Sequence, residues 1–238
     1  MMKTTKTLLF IVCAALLSCS DSLSDGGNNT ETVKDIEGNV YKTVKIGDQW
    51  WMAENLKVTR YRNGDAILRV PDNTQWSELI SGAYCNYNND VKNVATYGRL
   101  YNWQAVNDPR GLAPAGWHIP TDEEWKQLEI YLGMSQTEAD DISWRGAPAG
   151  GKLKESGTVH WMSPNTGASN ESGFSAIPGG YRDSNGSFGG LGSDAHFWSA
   201  TEGTIRGAFR RYLSYDNADI SRYNYRKPFG FSVRCVKD

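Results

Sequence analysis

The chain has 238 residues, a formal net charge of -2, nine tryptophans, twelve tyrosines and 25 glycines. No basic surplus or basic patch stands out, which sets aside a nucleic-acid partner held through its phosphates. Beyond the N-terminal segment no apolar run approaches the roughly 20 residues needed to cross a bilayer.

Lys3 and Lys6 precede an apolar run, Leu8–Leu17, that is too short to span a membrane. Leu16-Leu17-Ser18-Cys19 closes it. A small residue just before a cysteine resembles a bacterial lipoprotein signal. That resemblance implies removal of residues 1–18, lipidation of Cys19 and a membrane attachment through the N-terminal lipid. The alternative is an ordinary secretory leader with a cysteine nearby. Residues 19–34 are polar and include Gly26-Gly27-Asn28-Asn29, the composition of a flexible tether. The remainder, 35–238, suits a single domain.

Two cysteines remain in that domain, Cys85 and Cys235. An exported location permits a disulfide, and two cysteines allow only one pairing. A Cys85–Cys235 bridge is expected, with a pair of buried thiols as the alternative. Neither cysteine has a CxxC or clustered histidines beside it, so metal binding by thiolate is not indicated.

Asp35–Asn39 reads as a turn, Val40–Ile46 as an alternating strand, and Gly47-Asp48 as the turn of a hairpin returning through Gln49–Met52. Val58–Asp65 is expected to be a short strand ending at Asn63-Gly64. Leu100, Trp103 and Val106 recur at helical spacing and predict a helix over Gly98–Val106. The clearest helix is Asp122–Leu132. Thr121 and Glu124 form a capping box, Trp125, Leu128 and Leu132 make the apolar stripe, and Gly133 stands at its end. Ser135 and Glu138 form a second capping box, which predicts a short helix over Gln136–Ile142.

Gly173–Glu202 holds seven glycines and five aromatic residues. Average usage would place about two glycines there. Glycine is disfavoured in a helix by about 1 kcal/mol relative to alanine, and the rings are too apolar for a linker. Short strands and tight loops around aromatic anchors follow. Ala208–Ser214 and Phe229–Val236 alternate as antiparallel strands do. Arg206–Arg211, Arg222 and Arg226 read as solvated faces. The pattern as a whole is α+β: short antiparallel strands, two or three helices, and long glycine- and aromatic-rich loops.

The motifs Tyr97–Val106 (YGRLYNWQAV), Gly116–Leu128 (GWHIPTDEEWKQL), Gly150–Trp161 (GGKLKESGTVHW), Asn170–Arg182 (NESGFSAIPGGYR), Phe197–Glu202 (FWSATE) and Gly230–Asp238 (GFSVRCVKD) occur in this order. Together they resemble the Fibrobacter succinogenes major paralogous domain, a family of exported and lipid-anchored proteins of Fibrobacter and Bacteroidetes bacteria. The resemblance runs from about Asp35 to Asp238. The family is in turn similar to formylglycine-generating sulfatase-modifying enzymes, which implies a C-type-lectin-like fold. Family members often carry a cysteine just before Pro114-Ala115-Gly116-Trp117-His118, where this chain has Ala113. Should that cysteine be the usual partner of the Cys235 position, the Cys85–Cys235 pairing would not form.

Several chemistries are weighed on this basis. Formylglycine generation needs neighbouring reactive cysteines, which two distant cysteines do not supply. His118, His160 and His196 stand in separate motifs beside Trp117, Trp161 and Phe197, and read as packing histidines. No GxSxG elbow and no phosphate-binding loop occurs. Lectin-like folds often hold calcium with loop oxygens, and Asn170, Glu171, Asp183 and Asp194 are the donors available. Asp183–Gly186 reads equally well as a β-turn. No resident cofactor is expected apart from possible calcium. The reading that results is a lipid-anchored binding module at the cell envelope, on the outer membrane or cell surface, recognising a polysaccharide or protein. Trp161, Asn165, Asn170 and Tyr181 are its expected contact residues. The alternatives are an enzyme acting on an envelope or glycan substrate, and a structural subunit of a surface complex.

Overall fold

The computed structural model describes Met1 and residues 30–238. The expected leader beyond Met1, and Cys19, lie outside the described residues. Three sheets carry the fold, linked by short helices.

The first strands are β1 (Thr30–Lys34), β2 (Val40–Ile46) and β3 (Gln49–Met52). β2 and β3 pair from Thr43↔Met52 to Ile46↔Gln49, so Gly47-Asp48 is the expected two-residue turn, with Gly47 at φ +62°. The expected turn before β2 is held by the Asp35 carboxylate, which accepts from the backbone N–H of Glu37 and Asn39 and from the Tyr41 hydroxyl at 2.6 Å. One boundary is corrected. Thr30–Lys34, assigned by composition to the tether, forms β1 and pairs with β2 through Thr30↔Val44 to Lys34↔Val40. The edge of a hydrogen-bonded hairpin recruits polar residues that have no strand pattern of their own.

Next come β4 (Leu68–Arg69), α1 (Asn73–Ser77), β5 (Ala83–Cys85), α2 (Lys92–Tyr97), β6 (Leu100–Tyr101), α3 (Trp103–Val106) and β7 (Trp117–His118). Val58–Asp65 is not a strand: a single bridge, Arg60↔Ala66, closes a turn at Gly64. Nor does one helix cover Gly98–Val106. α2 stops at Gly98 (φ +73°), Leu100 and Tyr101 enter a sheet, and α3 restarts under the Asn102 cap. The Asn102 side chain accepts from the N–H of both Ala105 and Ala83, so it turns the chain from strand into helix.

α4 (Asp122–Tyr131) and α5 (Gln136–Asp140) carry both expected capping boxes. Trp125, Leu128 and Leu132 are buried, as their stripe requires, and Gly133 lies at φ +113°. β8 (Ser143–Arg145), α6 (Ala149–Leu153), β9 (Gly179–Arg182), β10 (Phe188–Leu191), β11 (Asp194–Thr204), β12 (Gly207–Ser214), β13 (Ile220–Arg226) and β14 (Val236–Lys237) complete the chain. The described residues thus contain six α-helices where two or three were expected, though only α4 runs beyond six residues.

The sheets are ordered β1-β2-β3-β14-β7, β10-β9-β11-β12-β13-β8 and β4-β5-β6. Most pairs are antiparallel; β4 with β5 and β9 with β11 are parallel. The segment after β13 is not the continuous strand its alternation predicts. Gly230 bridges Arg182, Phe231 bridges Tyr101, Ser232 bridges Phe197, and Val236 pairs with Trp51 and His118. One terminal segment therefore stitches all three sheets together.

Aromatic rings fill the space between. Trp51, Trp125, Phe174 and Phe197 pack with centroids 4.8–5.9 Å apart, distances at which tilted and edge-on rings attract. The glycine-aromatic segment behaves as expected: Phe174 and Trp198 are core, and the glycines allow close approach. Gly180 sits at φ +65°, and a Cβ there would lie 2.5 Å from the Gly189 carbonyl oxygen.

Basic side chains hold the loops. Arg182 donates to the carbonyls of Gly186, Val70, Pro71 and Asp72 and to the Asn73 side chain. Arg234 donates to Asn55, Phe174 and Ser175. The Lys154 ammonium sits among the carbonyl oxygens of Thr166, Ser214 and Asn217 at 2.8–2.9 Å. Arg211 and Arg222, expected on solvated faces, are buried: Asp122 lies between them, while Glu129 lies between Arg211 and Arg145. Burial of these cations is tolerated because nearly every donor finds an acceptor.

Candidate functional site

β11, β12 and β13 are in register with His196 opposite Tyr212, Trp198 opposite Arg210, and Arg210 opposite Tyr223. Because side chains alternate along a strand, Asp194, His196, Arg210, Tyr212, Tyr223 and Tyr225 share one sheet face. The other face carries Phe197, Arg211 and Leu213, which are buried. Over the first face pass Tyr181 from β9 and the Phe229–Phe231 segment. The result is a cavity of about 190 Å³ lined by Tyr181, Asp194, His196, Arg210, Tyr212, Tyr225, Phe229 and Phe231.

The His196 ring is stacked between Tyr212 (4.4 Å, 9°) and Phe231 (4.8 Å, 14°), with Tyr181 edge-on at 5.2 Å. Both of its ring nitrogens are buried without a hydrogen-bond partner. Burial, reinforced by the Arg210 charge, drives its pKa well below the ordinary imidazole value, so the ring is neutral. The Arg210 guanidinium lies over Tyr225 at 4.7 Å, Tyr212 at 5.0 Å and Phe231 at 6.0 Å. It is 7% exposed, and its Nε and Nη1 have no partner. Burial lowers its pKa to about 10, which leaves it charged at neutral pH. Tyr212 donates to Asp194 Oδ1 at 3.0 Å. Burial pushes the Asp194 carboxyl upward against that hydrogen bond, and pushes the Tyr212 phenol to about 12.

A second depression of about 610 Å³ adjoins this cavity and shares Tyr225 and Phe229 with it. Its remaining lining is Asp183, Ser184, Asn185, Tyr223, Asn224 and Arg226. Together they form a groove with aromatic walls and planar polar groups, fit for stacking on a flat ring and bonding its edge.

Two expected residues, Tyr181 and Asp194, line the inner cavity, and Asp183 lines the outer depression. The others are elsewhere. Trp161 is 2% exposed, donates its indole N–H to the Ala176 carbonyl, and covers the Lys154 ammonium at 5.4 Å. A buried ring of this kind is not a contact surface. Asn165 is also buried; its amide donates to the carbonyls of Glu155 and Gly157 from a left-handed backbone at φ +48°. Asn170 is tied to Ser175.

The four calcium donors are not brought together. Asn170 serves Ser175, Glu171 faces Lys152, Asp194 accepts from Tyr212, and Asp183 caps its own turn by accepting from the Asn185 N–H. Asp183–Gly186 is the hairpin turn between β9 and β10. Among the described residues no group of three or more His, Cys, Asp or Glu side chains is placed to hold a metal ion.

The expected disulfide is absent. Cys85 and Cys235 are both free and buried, Cys85 packed near Trp76 and Tyr87 and Cys235 in the cluster that also contains Ala113. The two thiols lie in different apolar clusters. Burial pushes the Cys85 thiol to about 12 and raises Cys235 strongly, so neither is a ready nucleophile.

The histidines do not converge. His118 bonds Glu124 and Asp238, His160 bonds Glu155 and stands edge-on to Tyr97, and His196 lies in the aromatic column. Arg210, Tyr212, Tyr225 and Phe229 were missed as site residues. The available signal was the alternation of Ala208–Ser214, which places Arg210 and Tyr212 on one face and Arg211 on the other.

These features define a sheet-rich α+β domain with a groove on one sheet face. The Fibrobacter succinogenes major domain model matches residues 44–237, and the chain belongs to that family. No curated protein and no solved structure matches the chain.

Proposed function

We propose that this chain is an exported binding module, anchored through a lipid on Cys19, that takes one strand of an envelope polysaccharide in the groove. The observation that carries the reading is that two depressions share Tyr225 and Phe229 in their walls. A polymer needs a run of adjacent subsites, and tyrosine faces beside amide, carboxylate and guanidinium groups suit sugar rings, which are apolar on their faces and polar at their edges. A C-type-lectin-like arrangement belongs to the same reading. It is supported by the terminal segment that returns to the early strands, and by the long loops that surround the groove.

The test is titration calorimetry of the full chain against a panel of neutral and acidic polysaccharides. At least one is expected to bind, and Tyr225→Ala, which alters the shared wall, to weaken it at least fivefold. Failure of every polysaccharide, or binding indifferent to Tyr225→Ala and Tyr181→Ala, overturns the reading. Binding only to envelope proteins does the same. The anchor is tested separately: labelled palmitate enters the wild-type chain and not Cys19→Ala.

A further inference from the structure

We propose that the inner compartment of the groove captures the carboxylate of an acidic sugar unit, with Arg210 as its ion-pairing residue. This rests on the polysaccharide reading above and narrows it to uronic-acid polymers.

The buried cations among the described residues are Arg145, Lys154, Arg182, Arg210, Arg211, Arg222 and Arg234. Arg145 and Arg211 bond Glu129, and Arg211 and Arg222 bond Asp122. Lys154, Arg182 and Arg234 are held by carbonyl oxygens. The Arg210 guanidinium alone among them makes no hydrogen bond to a described residue, and two of its nitrogens are shut away with no acceptor. Leaving buried donors unpaired is costly, more so for a charged group. Its contacts are the faces of Tyr225, Tyr212 and Phe231, which attract the cation but accept none of its hydrogen bonds along the guanidinium plane. Nη2 is not among the enclosed nitrogens, so it is the donor that meets an acceptor from outside first, with Nε and Nη1 behind it still lacking partners.

The surroundings specify the acceptor. Asp194, the acidic residue of the cavity, is already engaged by the Tyr212 hydroxyl and makes no ion pair with Arg210. The Asp194 charge still acts on Arg210 across the cavity, but it supplies no hydrogen bond to the guanidinium. His196, the other buried polar group without a partner, is neutral and brings no competing charge to an anion. The planar guanidinium matches a carboxylate, with which it forms paired, charge-assisted hydrogen bonds. The aromatic walls favour a ring-borne carboxylate over a free ion. The volume of about 190 Å³ admits one sugar-sized group, and the adjoining depression takes the rest of the polymer.

The experiment compares oligogalacturonate, oligoglucuronate and alginate oligomers with their methyl esters and with neutral glucan oligomers, by calorimetry on the full chain. At least one uronate series is expected to bind at least tenfold more tightly than its methyl ester. Arg210→Gln should remove that preference while native circular dichroism is retained, and Arg210→Lys should restore only part of it. Esters or neutral glucans binding as well as the acids overturn the carboxylate assignment and leave the groove reading standing. A preference that survives Arg210→Gln overturns the role of Arg210. Binding of polyglutamate but no uronate overturns both readings, as does binding of no glycan at all. The ester comparison is made on the wild-type chain, so it does not depend on any variant folding.

Discussion

Arg210 and Arg211 are neighbours on β12 and leave it on opposite faces: Arg211 bonds Asp122 and Glu129, whereas Arg210 lies bare among Tyr212, Tyr225 and Phe231. One is a structural cation with its charge matched. The other is a cost to the fold that a ligand would recover. The two should respond to mutation in opposite senses. Arg210→Met replaces an unpaired buried charge with an apolar chain of similar length, and is expected to leave stability unchanged or raise it, as removal of buried ions often does. A melting temperature several degrees below wild type would show that Arg210 is structural after all.

Glu129 is fully buried and receives hydrogen bonds from both Arg145 and Arg211. Glu129→Gln keeps the shape but leaves two guanidiniums short of a counter-charge. The expected loss is about 3–5 kcal/mol, the range for breaking a buried pair from one side. Urea denaturation measures it; a loss below about 1 kcal/mol would mean that Asp122 alone balances the network.

Lys154 binds three carbonyl oxygens in the manner of a bound cation. Lys154→Met retains the stem and strands those acceptors in a partly dry site. A loss of about 2–4 kcal/mol is expected, given about 1–3 kcal/mol for an unsatisfied buried group and partial rescue by water. The hydrogen-exchange protection of Thr166 and neighbouring amides should fall with it.

His118 links Glu124, the acidic member of the α4 capping box, to Asp238. Its partial burial opposes the charged form, but the hydrogen bonds to Asp238 and Glu124 prevail and raise its pKa above 6.5. A raised folded-state pKa contributes stability that is full below the unfolded value of about 6.5 and fades as pH rises through the folded value. The side chain is 37% exposed, so solvent screening keeps the effect small. Melting temperature is expected to fall slightly more for the wild type than for His118→Gln between about pH 6 and pH 8. Parallel profiles would remove the assignment.

Because Cys85 and Cys235 are free, a reducing agent should leave the melting temperature unchanged. Alkylation followed by peptide mass analysis should label both only after unfolding. Retention of a Cys85–Cys235 linked peptide would restore the disulfide.

What could be read along the chain was local. The Gly47-Asp48 turn, the two capping boxes and the Asp183–Gly186 turn were all legible, since each is closed by hydrogen bonds or backbone angles within a few residues. The helix expected over Gly98–Val106 failed because the Asn102 side chain answers to Ala83, outside any local window. Trp161 failed as a contact residue because nothing in GTVHW tells an exposed ring from one laid over Lys154.

The amino-acid sequence by itself determined the family, the α+β class, the turns and the caps, because these rest on ordered motifs and short-range bonding. Only the tertiary structure decided which arginines are paired, where the two cysteines lie, and that Tyr181, Asp194, His196 and Arg210 share a cavity. Those outcomes depend on segments far apart in the chain, as with Arg211 and Glu129 at 82 positions' separation. Burial and charge matching arise only when such segments meet, and strand register then selects the face to which each side chain turns.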